Sequence, residues 1–250
     1  MSIEWRSTLD VGLYELDAAA GLDPVRISAF RQYLEQEYSG PFIHGMGSYE
    51  ILDMVRRFVC QGRRLDVGGG TASLFWILAA SGDVRTTATD IEPEALAVLR
   101  EFLSAPSPLP ECYHQAAALF GVPAARVESL RQSIDSYLVF NALETWPSAL
   151  ARACYDSVTA FGCFAICGTE SSYRDCFQSA ALAVRREGRI VGADWIRHRD
   201  LQTRDYSFVN TQTLRRIGSD LGLRVLHLED IAIRGDETYG SVALWAFEKP

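Results

Sequence analysis

The residues best suited to chemistry in this chain are two aspartates and a run of glycines. Arg63 to Trp76 read RRLDVGGGTASLFW, so Asp66 stands just before Gly68, Gly69 and Gly70, and Asp90 closes the later stretch TTATD. A glycine turn between a strand and a helix lets a ligand approach the backbone closely. A dinucleotide would need G-x-G-x-x-G, so that its pyrophosphate rests on the helix N-terminus. Gly68 and Gly70 fill the first two of those places, but Ser73 stands in the third. A carboxylate at Asp66 would repel a pyrophosphate and attract an ammonium. A carboxylate at Asp90 could accept hydrogen bonds from both hydroxyls of a ribose.

An amino-acid end of mixed charge joined to a nucleoside describes S-adenosylmethionine, and the pairing of Asp66 with Asp90 favours that ligand. A nicotinamide dinucleotide, or a tight turn with incidental acids, would be the alternatives.

The surrounding elements must deliver these residues to one edge of a sheet. Asp23 to Tyr38 carry Val25, Ile27, Phe30, Tyr33 and Leu34 at helical spacing, and Ser48 to Val59 form a second helix with Ser48 as its cap. The loop SGPFIHGMG lies between them. RRLDV then reads as a strand, TASLFWILAAS as a buried helix, VRTTATDI as a second strand and EPEALAVLREFL as a helix with Pro93 in its first turn. A third strand is expected near Ile134, a fourth over Cys154 to Cys167, and a helix from SSYRDCF to Gly188. RIVGADWI is a fifth strand, Thr211 to Gly222 a capped helix, and LRVLHLEDIAI with GSVALWAFEK a closing antiparallel pair. Alternating strands and helices imply an α/β, Rossmann-like, doubly wound and mostly parallel sheet. Residues 1–60 form an N-terminal helical lid and 61–250 the ligand-binding domain.

Composition narrows the function. A net charge of −8 argues against a nucleic-acid surface. The six cysteines lack CxxC spacing and His44, His114, His198 and His227 are scattered, so no metal site is expected and the thiols read as small buried hydrophobes. The N-terminal MSIEWRSTLD has no apolar core segment and no 18-residue apolar run exists, which places the chain in the cytoplasm with no membrane partner.

The same motifs resemble the class I S-adenosylmethionine-dependent methyltransferases, and within them the nicotinamide, phenylethanolamine and thioether methyltransferases of small molecules. The resemblance runs from about residue 25 to the C-terminus. It maps YLEQEY onto a helix whose tyrosines close over the cofactor, giving Tyr33 and Tyr38. LDVGGGTAS gives Asp66, Gly68 and Gly70 as cofactor-binding, and TDIEPEAL gives Asp90 and Ile91 at the ribose. SIDSY gives Asp135 beside the adenine, and REGRIVGADW gives Asp194 facing the acceptor. Phe161, with Gly162, lies where a loop would floor the methyl donor. On spacing alone Tyr33 and Tyr38 read as packing residues, Asp135 as a strand-end acid without a role, and Asp194 equally as site or structure. The activity implied is methyl transfer by in-line displacement to a small-molecule acceptor, at nitrogen, with Asp194 holding an ammonium and taking its proton. The alternatives are O- or S-methylation, or a protein that binds S-adenosylmethionine without turnover. No protein substrate is expected.

Overall fold

The computed structural model describes residues 6, 8, 9, 12–150, 152, 154–198, 201, 202 and 205–250; most of the N-terminal decapeptide lies outside them. Eight strands form one sheet: β1 (Tyr14–Glu15), β2 (Gly62–Val67), β3 (Val84–Asp90), β4 (Ile134–Val139), β5 (Tyr155–Phe161), β6 (Val184–Arg197), β7 (Arg224–Ala232) and β8 (Tyr239–Glu248). Their order is β1-β4-β3-β2-β5-β6-β8-β7. β4, β3, β2, β5 and β6 are parallel, whereas β8 runs antiparallel to β6 and β7, and the short β1 antiparallel to β4. Strand order therefore reverses between β2 and β5, the switch point where ligands settle in open α/β sheets.

Helices cover both faces. One face carries α1 (Pro24–Tyr38), α2 (Ser48–Phe58), α3 (Pro93–Ser104), α4 (Glu111–Ala118) and α5 (Ala124–Ser129), and the other α6 (Glu170–Ala183) and α7 (Thr211–Asp220). Alternation along the strands sorts side chains between them. Leu65, Val67, Val158, Ala160, Trp245 and Phe247 join the α6 core. Ala88, Phe161, Val191, Ala193, Val242 and Leu244 join the α1–α3 core.

Local chemistry explains most element ends. Asp23 caps α1, its Oδ1 accepting from the Val25 amide at 2.8 Å, and Pro24 opens the helix. The cap of α2 is Gly47 rather than Ser48. Its φ of +79° and the approach of Val242 Cγ1, 2.6 Å from where a Cβ would sit, leave room only for glycine.

Two expected helices differ. TASLFWILAAS forms no α-helix: the chain makes two 3₁₀ turns, Gly70–Ala72 and Phe75–Ile77, closed by i→i+3 bonds such as Ile77 N to Leu74 O. Residues 71–80 are all buried, so the segment has no solvent side on which to settle as an amphipathic helix. The helix expected to reach Gly188 ends at Ala183, because Val184 pairs with Tyr155 and continues into β6. Likewise β5 leaves the sheet at Phe161 and turns into a 3₁₀ segment, Phe164–Ile166.

Gly192 lets Trp245 lie flat on β6, since a Cβ there would overlap the Trp245 ring and the Ala160 carbonyl. Gly192→Ala should cost about 2–3 kcal/mol by overpacking, read as a lower urea midpoint with unchanged slope.

Candidate functional site

The glycine turn sits between two carboxylates. Asp66 is fully buried near the end of β2. Its Oδ1 accepts from the Thr159 hydroxyl at 2.6 Å and pairs with the guanidinium of Arg64. Its Oδ2 is buried without a hydrogen-bond partner and lies against the turn, where a Cβ on Gly69 would overlap it. On the other side, Asp90 Oδ2 lies 3.1 Å from the place a Gly70 Cβ would take. Gly68 and Gly70 have φ of +64° and +47°, the left-handed region that glycine adopts without strain. The turn is tied to β3 by Gly69 N to Thr89 O at 3.2 Å and by the Thr89 hydroxyl to Asp66 O at 2.7 Å.

Asp90 is 5% exposed. Its Oδ1 accepts from the Glu92 amide at 2.9 Å. Burial lifts its carboxyl to about 7, against the pull of the Glu92 and Ile91 amides, and the nearby Glu92 charge pushes the same way as burial. Ile91, expected at the ribose, thus reaches the site through its amide. Two further acids fix this corner, and sequence reasoning did not single them out. Glu92 pairs with Arg26 of α1 at 2.6 Å, and Glu94 takes a bidentate grip from Arg6 at 2.7 and 2.9 Å. Both glutamates are buried and hold Arg6 and α1 on the first turn of α3.

The loop after β5 closes over the turn. A Cβ on Gly68 would come within 2.5 Å of Cys163 Sγ. Burial holds the Cys163 thiol well above its usual value, with Asp90, Asp194 and Asp66 adding in the same direction, so it stays protonated. Phe161 ends β5 on the α1–α3 face, its ring 5.3 Å from Trp76, which is in turn 5.8 Å from Trp195.

Asp194 was expected to face the acceptor. The structure turns its carboxylate to the α6 face, fully buried, where it accepts from the Ala165 amide at 2.9 Å, the Tyr173 hydroxyl at 2.8 Å and the Trp245 indole at 3.0 Å. The reason is period two: in a strand, neighbours point to opposite faces, and it is Trp195 that faces α2 and donates to Met46 O at 2.9 Å. Burial raises the Asp194 carboxyl, and its three donors oppose the shift.

Asp135 is exposed and lies near the start of β4, level with Thr86 and Thr87. The strand runs four residues further, so Asp135 is not brought to the edge that holds Asp66 and Asp90. The polar residue there is Asn141, just past Phe140, whose amide donates to Asp90 O at 3.1 Å. Beside it opens a cavity of about 150 Å³ lined by Leu9, Leu13, Phe140, Asn141, Glu144 and Thr145. A register count from the end of β3 would have found Asn141.

Tyr33 and Tyr38 meet edge to face, 6.1 Å apart, and Tyr38 packs on Phe75 at 5.1 Å. Burial takes the Tyr33 phenol up to about 12. Tyr38 therefore sits on the aromatic segment that follows the glycine turn, and Tyr33 packs against Tyr38. Among the described residues, no group of three or more His, Cys, Asp or Glu side chains could hold a metal, and no helix is long and apolar enough to cross a membrane.

No protein-family model and no curated protein sequence matches the chain. Solved structures share its architecture. A putative methyltransferase from Haloferax volcanii, solved with the Trm112 methyltransferase activator, superposes with a TM-score of 0.58 at 13% identity, over 90% of this chain and 96% of the other. The shared architecture is the Rossmann-like doubly wound sheet with its antiparallel closing strands. A phosphoethanolamine N-methyltransferase from Haemonchus contortus, solved with phosphomonomethylethanolamine and S-adenosylhomocysteine, gives 0.54 at 16% identity over 90% of this chain. This chain spans 57% of that longer one. The cyclase SpnF gives 0.55 at 12% identity over 90% and 92%. The architecture thus carries more than one named activity, and the chemistry must be argued from the residues.

The raised Asp90 carboxyl has a stability consequence. Below about 3.8, its ordinary value, both folded and unfolded chains hold the proton. Between there and about 7 the fold keeps a proton that the unfolded chain has lost, so stability falls as pH rises through that window. Asp90→Asn should remove this slope and gain about 4 kcal/mol above pH 7 and little near pH 4, measured by urea melts at both pH values.

Proposed function

We propose that the chain binds S-adenosylmethionine at the glycine turn and transfers its methyl group to a small-molecule acceptor, at nitrogen. The observation that carries this reading is the placement of Asp66 and Asp90 on opposite sides of one glycine turn at the strand-order switch. Two carboxylates against the turn oppose a diphosphate. They suit an amino-acid end on one side and a sugar diol on the other. The buried, unpartnered Asp66 Oδ2 is an acceptor facing the turn, and Gly68 and Gly70 leave no room for a side chain against Cys163 and Asp90. Structural neighbours named as methyltransferases, one with S-adenosylhomocysteine bound, support the same cofactor.

On this reading Gly68 and Gly70 give backbone contact, Asp90 accepts the ribose hydroxyls, the Ile91 amide steadies Asp90, and Asn141 with its neighbouring cavity takes the adenine. S-adenosylmethionine supplies an activated methyl group on a sulfonium when bound. The protein's part is then alignment and exclusion of water. Phe161, Trp76 and Trp195 form an apolar wall beside the turn, and α1 with α2 acts as the lid that brings Tyr33 and Tyr38 over it. Asp194, sealed and triply hydrogen-bonded, serves by holding the β5–α6 loop through the Ala165 amide. An amine acceptor would lose its proton to water at the mouth of the site.

The test has two parts. Calorimetry with S-adenosylhomocysteine should show binding that Asp90→Ala weakens at least tenfold, and that strengthens in the wild type as pH rises through about 7, because only the ionised carboxylate accepts both hydroxyls. Incubation with isotopically labelled S-adenosylmethionine and a panel of amines, pyridines, phenols and thioethers, read by mass spectrometry, should label a nitrogen acceptor. Binding without labelling of any acceptor would favour a non-catalytic binding protein.

A further inference from the structure

A guanidinium is sealed inside the sheet two residues before the carboxylate that faces the turn. Arg64 is fully buried in β2, a strand position whose neighbours Leu65 and Val67 are plain core. Burying an arginine beneath a parallel sheet is costly unless its charge is met. Here it is met by three groups of the site. Nε donates to Thr159 Oγ1 at 2.7 Å, Nη2 pairs with Asp66 Oδ1, and Nη1 reaches the Ser73 carbonyl at 3.5 Å. Thr159 passes the contact on, its hydroxyl donating to the same Asp66 Oδ1 at 2.6 Å. The three partners come from β2, from β5 and from the 3₁₀ segment that follows the glycine turn, the elements that meet at the switch point.

The consequence falls on Asp66. One oxygen is fully engaged by Arg64 and Thr159, which fixes the carboxylate's rotation and leaves Oδ2 against the turn with no partner of its own. A lone buried carboxylate would instead take up a proton or rotate toward the backbone amides. Burial lowers the guanidinium's hold on its own proton, and the Asp66 carboxylate beside it opposes that shift.

Resting on the cofactor reading above, we propose that Arg64 is a positioning residue for S-adenosylmethionine: it holds the Asp66 carboxylate by Oδ1 so that Oδ2 is presented to the glycine turn, and it offsets enough of that charge for the turn to accept an amino-acid end carrying both an ammonium and a carboxylate. It touches no part of the ligand. The carboxylate it aims does.

The experiment is a cycle of Arg64→Met, Asp66→Asn, the double variant and Arg64→Lys, each measured by thermal melting and by calorimetry with S-adenosylhomocysteine from pH 6 to 9. Arg64→Met should bind at least tenfold more weakly, with a loss that deepens toward pH 6 beyond the wild-type trend, as an uncompensated carboxylate takes its proton. The double variant should regain the melting temperature, because no unpaired charge is left in the core, but not the affinity. Arg64→Lys, which keeps the charge but cannot meet Asp66, Thr159 and Ser73 together, should recover part of the affinity; it carries the test if Arg64→Met does not fold. Wild-type affinity and pH profile in Arg64→Met, or in Arg64→Lys where that variant stands in, overturn the proposal, as does recovery of affinity together with stability in the double variant. A wild-type protein that binds no S-adenosylhomocysteine overturns the cofactor reading itself, and this role with it.

Discussion

A carboxylate withdrawn from water is the constraint around which the carboxyl edge of this sheet is built. Asp66 has no solvent to ionise into, so its charge must be supported by neighbours. Arg64 and Thr159 supply that support from within the sheet, and the only direction left open is toward the glycine turn. Backbone must then come close. Gly69 has no Cβ because Asp66 Oδ2 is there, Gly70 none because Asp90 approaches, and Gly68 none because Cys163 rests on it. Three consecutive glycines are thus three separate steric demands made by two acids and one loop.

The second acid is held by different means. Among the described residues no cation pairs with Asp90, which relies on amides at the start of α3, and burial dominates its titration. A carboxyl so buried is expensive to ionise, and hydroxyl donors beside it would lower that cost. The buried Glu92 and Glu94 draw Arg6 and Arg26 onto the same corner and so fasten α1, with Tyr33 and Tyr38, beside the turn.

The strands and their alternation with helices were legible because β-branched runs, glycine turns and capping residues are local signals. Asp66 and Asp90 were legible for the same reason: each stands at the end of a short strand next to a glycine or a helix cap. What failed to show was whatever depends on a count or a face. Asp135 looked like a strand end because the segment begins with an acid, but β4 starts there and ends at Val139, which brings Asn141 to the edge. Asp194 looked exposed to the site because it follows an apolar strand, but one step of alternation turns it to α6 and turns Trp195 to α2. The segment after the glycines read as a helix from composition, yet with every residue from 71 to 80 buried it follows the shape of its surroundings. Arg64 gave no signal at all, since an arginine in RRLDV reads as surface until Thr159 and Ser73 are seen around it.

The two faces of the sheet then divide the labour. On the α1–α3 face, Arg64, Asp66, Thr159, Phe161 and Trp195 line up across adjacent strands, polar at the switch point and aromatic beyond it. On the α6 face, Asp194 gathers an amide, a phenol and an indole, and so ties the Phe164–Ile166 segment to α6 and β8. The loop that presses Cys163 onto Gly68 is therefore anchored from the far side of the sheet by a carboxylate that never reaches the ligand side. A loop gripped from beneath can press on a glycine turn without needing contacts to a ligand to keep it there. The geometry of the turn is in this sense set by the protein's own contacts, from Gly68 against Cys163 on one side to Asp194 on the Ala165 amide on the other.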